Sequence, residues 1–552
     1  LLHRTTYIFV DANSPRPARR LSQRTHQTWG AAFCAPGMSE HHLRVQVASF
    51  NAGQHLEENA LPDFTSWLIP TVQQDPSSGY AVAEKTASRH PQAFALGPRD
   101  APDVYAVGFQ EFALLPHGLA GFTESMRTAI DREIRRTVRL HQATVRPDRM
   151  YDPLELGGGP ENYARIAEIV HGGMVLFVYA RERPSREAAN LPSAAERVKE
   201  VRMATVGTGI FNLMGNKGAV GARVTLAPLH AGGEDEVLTF VCAHLAAHDH
   251  NVERRNRDWQ NIVQRLVFSP DDLGYVPNVV PSTAPGDVKE TMGQIHSVPT
   301  KPASQHRTKA LDSNEYSVYD THHLFVLGDL NYRIGTGVPG APPSGGPVSR
   351  NTYPPMKRSD VKMLAQSKNP KRWAWLLPYD QLALQHAVSP PRAFQSLYIP
   401  DLSVYNLPPT YKYKVPKTPA ETQDVLSKKR VPGWPDRILW SEPQSVGCEL
   451  YRSLMEYRVS DHKPITAILT VPSTRARTFL AAPYPIDPAR RTMQFRGRWL
   501  DRIIGYLWSL LLLFGNGSLP LAAIEVALLA ILGAWWVSGH PIPLIRPTGA
   551  AI

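Results

Sequence analysis

Asp329 and Asn331 stand two residues apart in "HLFVLGDLNYRIG" (323–335), directly behind an apolar run. Residues i and i+2 of an extended chain face the same side, so a carboxylate and a carboxamide project together from the mouth of a core strand. Other apolar runs border polar groups in the same way. "VASFN" ends at Asn51, "VYAVGFQE" at Gln110 and Glu111, "FVCAHL" carries His244, and "RVSDHKP" places Asp461 and His462 before the last strand. A lone Glu after a strand is usually a cap or a surface charge, and a lone Asp-His pair is as ordinary. Asn, Glu, His, Asp/Asn and Asp/His gathered at strand ends exceed what turn chemistry requires.

The inventory fits metal-assisted hydrolysis of a phosphate ester. Glu, Asp and Asn are hard oxygen ligands suited to Mg²⁺, which polarises a phosphoryl oxygen and stabilises a leaving alkoxide. A carboxylate near the line of attack orients and deprotonates water. A histidine held by an acid neutralises charge on the phosphoryl oxygens.

The elements that must position these groups alternate β-rich and helical runs between about residues 43 and 472. Strands are predicted over 44–50, 104–110, 173–180, 218–226, 237–245, 323–330 and 464–471, and helices over 123–140 and 252–268. Many strands follow one another without a helix between them, which favours an α/β (α+β) chain with a mixed sheet and helical cover over a doubly wound parallel sheet. The Pro/Gly/Ser-rich stretches 270–310 and 335–360 read as surface insertions, because strands resume beyond them.

Across about 43–470 this order of groups resembles the endonuclease/exonuclease/phosphatase superfamily, whose DNase I-like fold is a four-layered sandwich of two packed β-sheets with outer helices. Nucleases, sphingomyelinases and inositol phosphatases share that plan. "MGNKGAVGARVTL" (214–226), "HLAAHDHNVERRNRDWQNI" (244–262), "GDLNYRI" (328–334), "LLPYDQL" (376–382), "PPTYKYK" (408–414) and "KKRVPGWPDRILW" (428–440) resemble the inositol polyphosphate 5-phosphatases more narrowly. The resemblance implies that Glu111 is the principal Mg²⁺ ligand with Asn51 close by, and that Asp329 activates water. It implies that His462, supported by Asp461, lies beside the scissile 5-phosphate, and that His244 and Asn331 stabilise the transition state. Tyr411, Lys412, Lys428 and Arg430 put three cations and a phenol in two short loops, suited to a neighbouring phosphate; the resemblance implies a grip on the 4-phosphate. In isolation "SKKR" reads equally as a solvated basic turn. Asn216 and Lys217 reach the substrate or simply form a tight turn, while Asp258 and Trp259, on a helix, read as structural.

Three departures stand out. Pro435 replaces the usual Cys before Asp436, which bears on loop shape; Lys414 replaces a usual acid, which bears on phosphate preference; Phe109 replaces a leucine in packing. No expected catalytic position is lost.

The formal charge of +11 favours phosphate-bearing partners, nucleic acid or anionic lipid. Cys34, Cys242 and Cys448 lie far apart without CxxC spacing, which argues against a disulfide framework or a zinc site and for a reducing compartment. Residues 1–42 read as an N-terminal extension without a secretory signal, with translation expected from Met38. Domain 43–472 is followed by a basic linker (473–502), then "IIGYLWSLLLLF" (503–514) and "LPLAAIEVALLAILGAWWVSG" (519–539), and a short tail (540–552). The second run is long enough for a bilayer core of about 30 Å. Seven arginines against two aspartates in 472–502 mark that side as cytosolic. The expectation is a monomeric, Mg²⁺-dependent phosphoinositide 5-phosphatase facing the cytosol. It would be held on an endomembrane, such as the endoplasmic reticulum, by a C-terminal anchor helix or hairpin, with the lipid headgroup as partner and no nucleic acid. A soluble inositol polyphosphate substrate, a DNase I-like nuclease and a non-catalytic phosphoinositide adaptor are the alternatives.

Overall fold

Apolar side chains recur on both faces of the central strands, so each strand needs cover on two sides, and two sheets stacked face to face supply one of them. The computed structural model describes residues 42–69, 101–139, 162–183, 191–229, 232–270, 314–337, 340, 354–367, 369–387, 393–416, 418, 421, 424–427, 429–441, 446–472, 478–514 and 519–537. The N-terminal extension, most of the 270–310 segment, Cys34 and Lys428 fall outside them.

In chain order the strands are β1 (His42–Asn51), β2 (Val104–Gln110), β3 (Tyr163–His171), β4 (Met174–Arg181), β5 (Val198–Gly207), β6 (Gly218–Leu226), β7 (Glu236–His244), β8 (His323–Asp329), β9 (Leu397–Tyr398), β10 (Asp436–Ser441), β11 (Gly447–Ser453) and β12 (Ile465–Pro472). One sheet runs β11-β12-β1-β2-β4-β3, the other β5-β6-β7-β8-β10-β9. Each sheet is antiparallel except for one central parallel pair, β1 with β2 and β7 with β8. Both sheets are therefore mixed, as expected.

Between the sheets lies a core built from Val45, Val47, Leu176 and Val178 of one and Val220, Phe240, Phe325 and Ile438 of the other. Outside the first sheet, Phe50, Phe109 and Trp67 meet Ile130 and Ile134 of the Glu124–Arg139 helix. Outside the second, Trp259, Ile262 and Val263 of the Val252–Arg265 helix meet Phe394 and Tyr332. Helix, sheet, sheet and helix make the four expected layers. Trp259 stacks on Phe394 at 4.3 Å, and Asp258 accepts from Arg254 Nε at 2.9 Å and from Ala246 N–H at 3.0 Å. Both residues are structural, as read from the sequence.

The C-terminal segment departs from expectation. Residues 490–502 are no linker. They open a 24-residue helix, Arg490–Leu513, that continues into the first apolar run and docks on the domain. Gly497, Asp501 and Gly505 are spaced by four, share one helix face, and are buried. A Cβ on Gly497 would collide with Leu213, and one on Gly505 with the backbone of Ala120. The helix therefore lies against the 208–217 loop and the short Leu115–Ala120 helix. Gln494 donates to Thr205 O (3.2 Å) and Arg265 O (2.9 Å), and Tyr506 packs on Phe122 at 5.5 Å. A second helix covers Leu519–Val537. Among the described residues no helix is long and apolar enough to cross a membrane, so the expected transmembrane anchor is not supported. The first run continues the docked helix.

Candidate active site

The two parallel pairs explain why polar groups cluster. Asn51 pairs with Gln110 at the end of β1 and β2, and His244 with Asp329 at the end of β7 and β8. In a parallel pair both strands finish at the same edge, so two such pairs, one per sheet, deliver their carboxyl-terminal residues to one rim. The antiparallel neighbours complete it. Asp436, the first residue of β10, lies opposite Asp329, and His462 comes just before β12.

Asp329 is the hub. Its Oδ2 accepts from Asn51 Nδ2 at 2.9 Å and lies 3.4 Å from His244 Nε2 and 3.9 Å from His462 Nε2, while Oδ1 accepts from Asn331 N–H at 3.0 Å. Burial opposes its charge, but the His244 hydrogen bond and the nearby His462, His244 and Arg333 charges hold it far below the usual carboxylate range. Glu111 Oε1 lies 3.6 Å from His244 Nε2 and 3.8 Å from Lys217 Nζ. Its carboxyl is also depressed, because these cations outweigh its desolvation. Burial and the Lys217 ammonium, which contacts its ring nitrogen, lower His244.

Glu111 (φ 49°) and Asn331 (φ 58°) leave their strands in left-handed backbone. For non-glycine residues that costs roughly 1–2 kcal/mol each. Strain of this kind concentrates where side-chain direction matters. Asn331 donates to Leu245 O at 3.0 Å, and its Oδ1 accepts from Arg333, so the carboxamide is locked.

His462 is held by Asp436, not by Asp461. Nδ1 donates to the Asp436 carboxylate at 3.0 and 3.1 Å, and Thr410 Oγ1 donates to the same carboxylate at 2.6 Å. Burial disfavours the imidazolium, yet Asp436 outweighs it and pushes His462 up to about 9. Asp461 instead binds the Lys412 ammonium. Adjacent residues of an extended chain point to opposite sides, so the sequence neighbour is the wrong partner.

The predicted phosphate-binding groups divide. Tyr411 lies 4.5 Å from the His462 ring with the Arg333 guanidinium 4.1 Å over its face, and Lys412 stands beside it on Asp461. Arg430 is exposed, with its charge felt at His248. Asn216 Oδ1 accepts from Ile210 N–H at 3.1 Å, so it braces its own turn, whereas Lys217 points at Glu111 and His244. Lys217, His244 and Glu111 line a cleft together with Gln54, Asn216 and Gly173. Asp436, Thr410 and Arg333 are the site residues that sequence reasoning missed. All three lay inside stretches already quoted, "WPDRILW", "PPTYKYK" and "GDLNYRI".

Ligand atoms of Asp329, Asp436 and His462 gather within 4.8 Å, but Asp436 is engaged by His462 and Thr410. The carboxylates of Glu111 and Asp329 and the amide oxygen of Asn51, which also accepts from Gly53 N–H at 3.0 Å, are oxygen donors at the same rim. That set fits a hard divalent cation.

Residues 48–468 match the family Endonuclease/Exonuclease/phosphatase family 2. A mouse type II inositol 1,4,5-trisphosphate 5-phosphatase is 28% identical over 372 residues, 67% of this chain and 27% of that protein. Human synaptojanin-2 is 23% identical over 461 residues, 78% of this chain and 22% of its own, and an Arabidopsis thaliana type IV inositol polyphosphate 5-phosphatase 3 is 27% identical over 308 residues, 55% and 34%. The chain thus spans about a third or less of the length of these relatives. A crystal structure of the inositol polyphosphate 5-phosphatase domain of SPsynaptojanin, with inositol (1,4)-bisphosphate and calcium, aligns at a TM-score of 0.45 and 20% identity, covering 84% of this chain and 91% of that one. With the match covering most of its length, this chain belongs to Endonuclease/Exonuclease/phosphatase family 2.

Proposed function

We propose that the chain is a Mg²⁺-dependent phosphatase that removes the 5-phosphate from inositol phosphates, with phosphoinositide headgroups such as PI(4,5)P2 as the preferred substrate. The observation that carries this reading is the Asp329 hub, where a depressed carboxylate sits between two imidazoles, one of them kept protonated by Asp436.

Asp329 accepts a hydrogen bond from the attacking water and orients it. Its low basicity makes positioning its main contribution, and proton transfer follows as the P–O bond to water forms. The His462 imidazolium and the Lys217 ammonium face the negative charge that spreads over the phosphoryl oxygens. Asn331, fixed by Arg333 and Leu245, offers its carboxamide at the same place. A divalent cation at Glu111 and Asn51, when bound, supplies Lewis-acid polarisation of the phosphoryl group. Lys412, Arg333 and Arg430 provide cations for a second phosphate on the ring, and this favours a polyphosphorylated substrate over a nucleic-acid backbone.

The apolar residues beyond the docked face support contact with a lipid surface. Leu507, Leu510, Leu513, Leu521, Ile524, Leu528 and Ile531 are all exposed. We place the protein, as a monomer, on the cytosolic face of an endomembrane, lying in the interface without crossing it.

Phosphate release from PI(4,5)P2 vesicles and from inositol 1,4,5-trisphosphate, beside nicking of plasmid DNA, tests the reading. Release from both inositol substrates, abolished by EDTA and restored by Mg²⁺, is expected. DNA nicking without phosphate release would overturn it, and faster turnover of the soluble substrate would move the preference to inositol polyphosphates.

A further inference from the structure

We propose that Asp501, on the docked C-terminal helix, is a positioning residue for the phosphate site, acting through the Gly215 backbone on the turn that carries Asn216 and Lys217. The inference rests on the phosphatase reading for its kinetic consequence, but its geometry stands apart from it. Asp501 lies outside the matched family region, which ends at residue 468.

Both oxygens of the Asp501 carboxylate accept from one donor, Gly215 N–H, at 2.9 and 3.1 Å. The side chain is only 6% exposed. Its nearest basic group is His171, with Nε2 at 3.8 Å. Burial and the charges of Arg498 and Arg502 push that imidazole down to about 4, so it is neutral near pH 7 and supplies no counter-charge. The neighbouring Arg502 guanidinium donates to Ala120 O and supplies a charge interaction that ranks behind the Gly215 hydrogen bond. A buried carboxylate held mainly by an amide is a costly arrangement for a helix that only needs to pack. The packing is already provided by the close approaches at Gly497 and Gly505 and by Gln494 and Tyr506. The carboxylate therefore serves the turn.

That turn is the wall of the cleft. Thr208 N–H donates to Lys217 O at 2.8 Å and Gly209 N–H to Met214 O at 2.9 Å, closing the 208–217 loop on itself. Gly172 (φ +55°) lies against Gly215 O so closely that a Cβ would collide with it. Gly173 follows and borders Glu111, and Phe112 N–H donates to Gly173 O at 3.3 Å. Gly215 is thus held by both the Asp501 carboxylate and the β3–β4 turn. Two residues later Lys217 reaches Glu111 and His244. Releasing the grip lets the turn shift, and Lys217 moves away from the reacting phosphate.

The test uses the full chain and soluble inositol 1,4,5-trisphosphate, so that lipid binding plays no part. Asp501→Ala is expected to lower kcat/KM by about tenfold or more, as small misplacements of charged groups do, and to raise hydrogen exchange at the Gly215 amide. Asp501→Asn keeps an acceptor oxygen for that amide, and it is expected to stay within about threefold of the parent. Gly505→Val, which prises the helix from Ala120 without touching any site residue, is expected to reproduce the Asp501→Ala loss even if that variant fails to fold. Unchanged kcat and KM in Asp501→Ala with rapid Gly215 exchange would overturn the proposal, as would an Asn variant as impaired as Ala. If the parent releases no phosphate at all, the phosphatase reading fails. Gly215 exchange in the three variants then decides the positioning role: protection kept in Asp501→Ala refutes it, and protection lost there but kept in Asp501→Asn supports it.

Discussion

His462 shows how a single neighbour sets a residue's chemistry. Burial favours the neutral ring, and the Asp436 carboxylate, with smaller help from Asp329 and Asp461, outweighs it and keeps the imidazolium. Asp436→Asn is expected to move the basic limb of the kcat/KM–pH profile down by about one unit or more, because the largest of the charges that raise His462 is gone. Measured phosphate release between pH 6 and 10 checks this, and an unmoved limb would assign the limb to another group. Asp329→Asn is expected to lower kcat by about 10²–10⁴ at constant fold, since it removes the oxygen aimed at water. At this scale the identities of Asp329, His244, Glu111, Asn51 and His462 were legible, because polar residues at the ends of apolar strands stand out. Asp436 was not. Its partner is 26 residues away, and spacing along the chain carries no record of a contact made across two strands of different sheets.

The elements were legible where an apolar run was unbroken. The predicted β6 coincides with Gly218–Leu226, and the predicted β1, β2, β7 and β8 fall within two residues of their observed ends. The strands that escaped were β3, β5, β9, β10 and β11. β3, β5 and β11 each carry a register shift, between Arg165 and Ala167, Val198 and Glu200, and Cys448 and Leu450. An extra residue flips every later side chain to the other face, so alternation is lost to the reader while the strand remains. The docked helix hid for a different reason. Its arginines gave 490–502 the composition of a linker, and only the spacing of Gly497, Asp501 and Gly505 marks the buried stripe.

This helix also has a signature against pH. His171 is down at about 4 in the folded protein, from an ordinary 6.5, so the unfolded chain takes up its proton first and stability falls as pH drops from about 6.5 to 4. Burial raises Asp501 to about 6 against an ordinary 3.8, so the folded protein takes up that proton first and stability rises over nearly the same window. The two effects, each about 3 kcal/mol, oppose one another. Asp501→Asn removes the second alone. Urea unfolding at pH 7 and pH 4 should then show an acid-induced loss about 3 kcal/mol larger than in the parent. Equal losses would mean that Asp501 is not buried as its carboxylate.

For the whole molecule, we propose that the charge of +11 and the exposed apolar residues near the C-terminus favour contact with an anionic bilayer. Removing residues 515–552 is expected to lower turnover on PI(4,5)P2 vesicles by about tenfold or more, through lost local concentration, while leaving turnover of the soluble trisphosphate unchanged. Equal turnover on vesicles would show that this segment has no part in lipid contact. The four-layered body was legible from strand order and motif. The tail was legible only as hydrophobicity, which does not say whether an apolar helix faces lipid, another protein or its own domain.

The Asp501–Gly215 contact is intramolecular only because the chain stays joined between Pro472 and Arg490. Were that connection cut, the same helix would become a peptide ligand of its former host, competing with solvent for a groove floored by Leu213 and Ala120. Activity would then depend on the peptide's concentration, and adding it back in trans would titrate a broken enzyme towards a whole one.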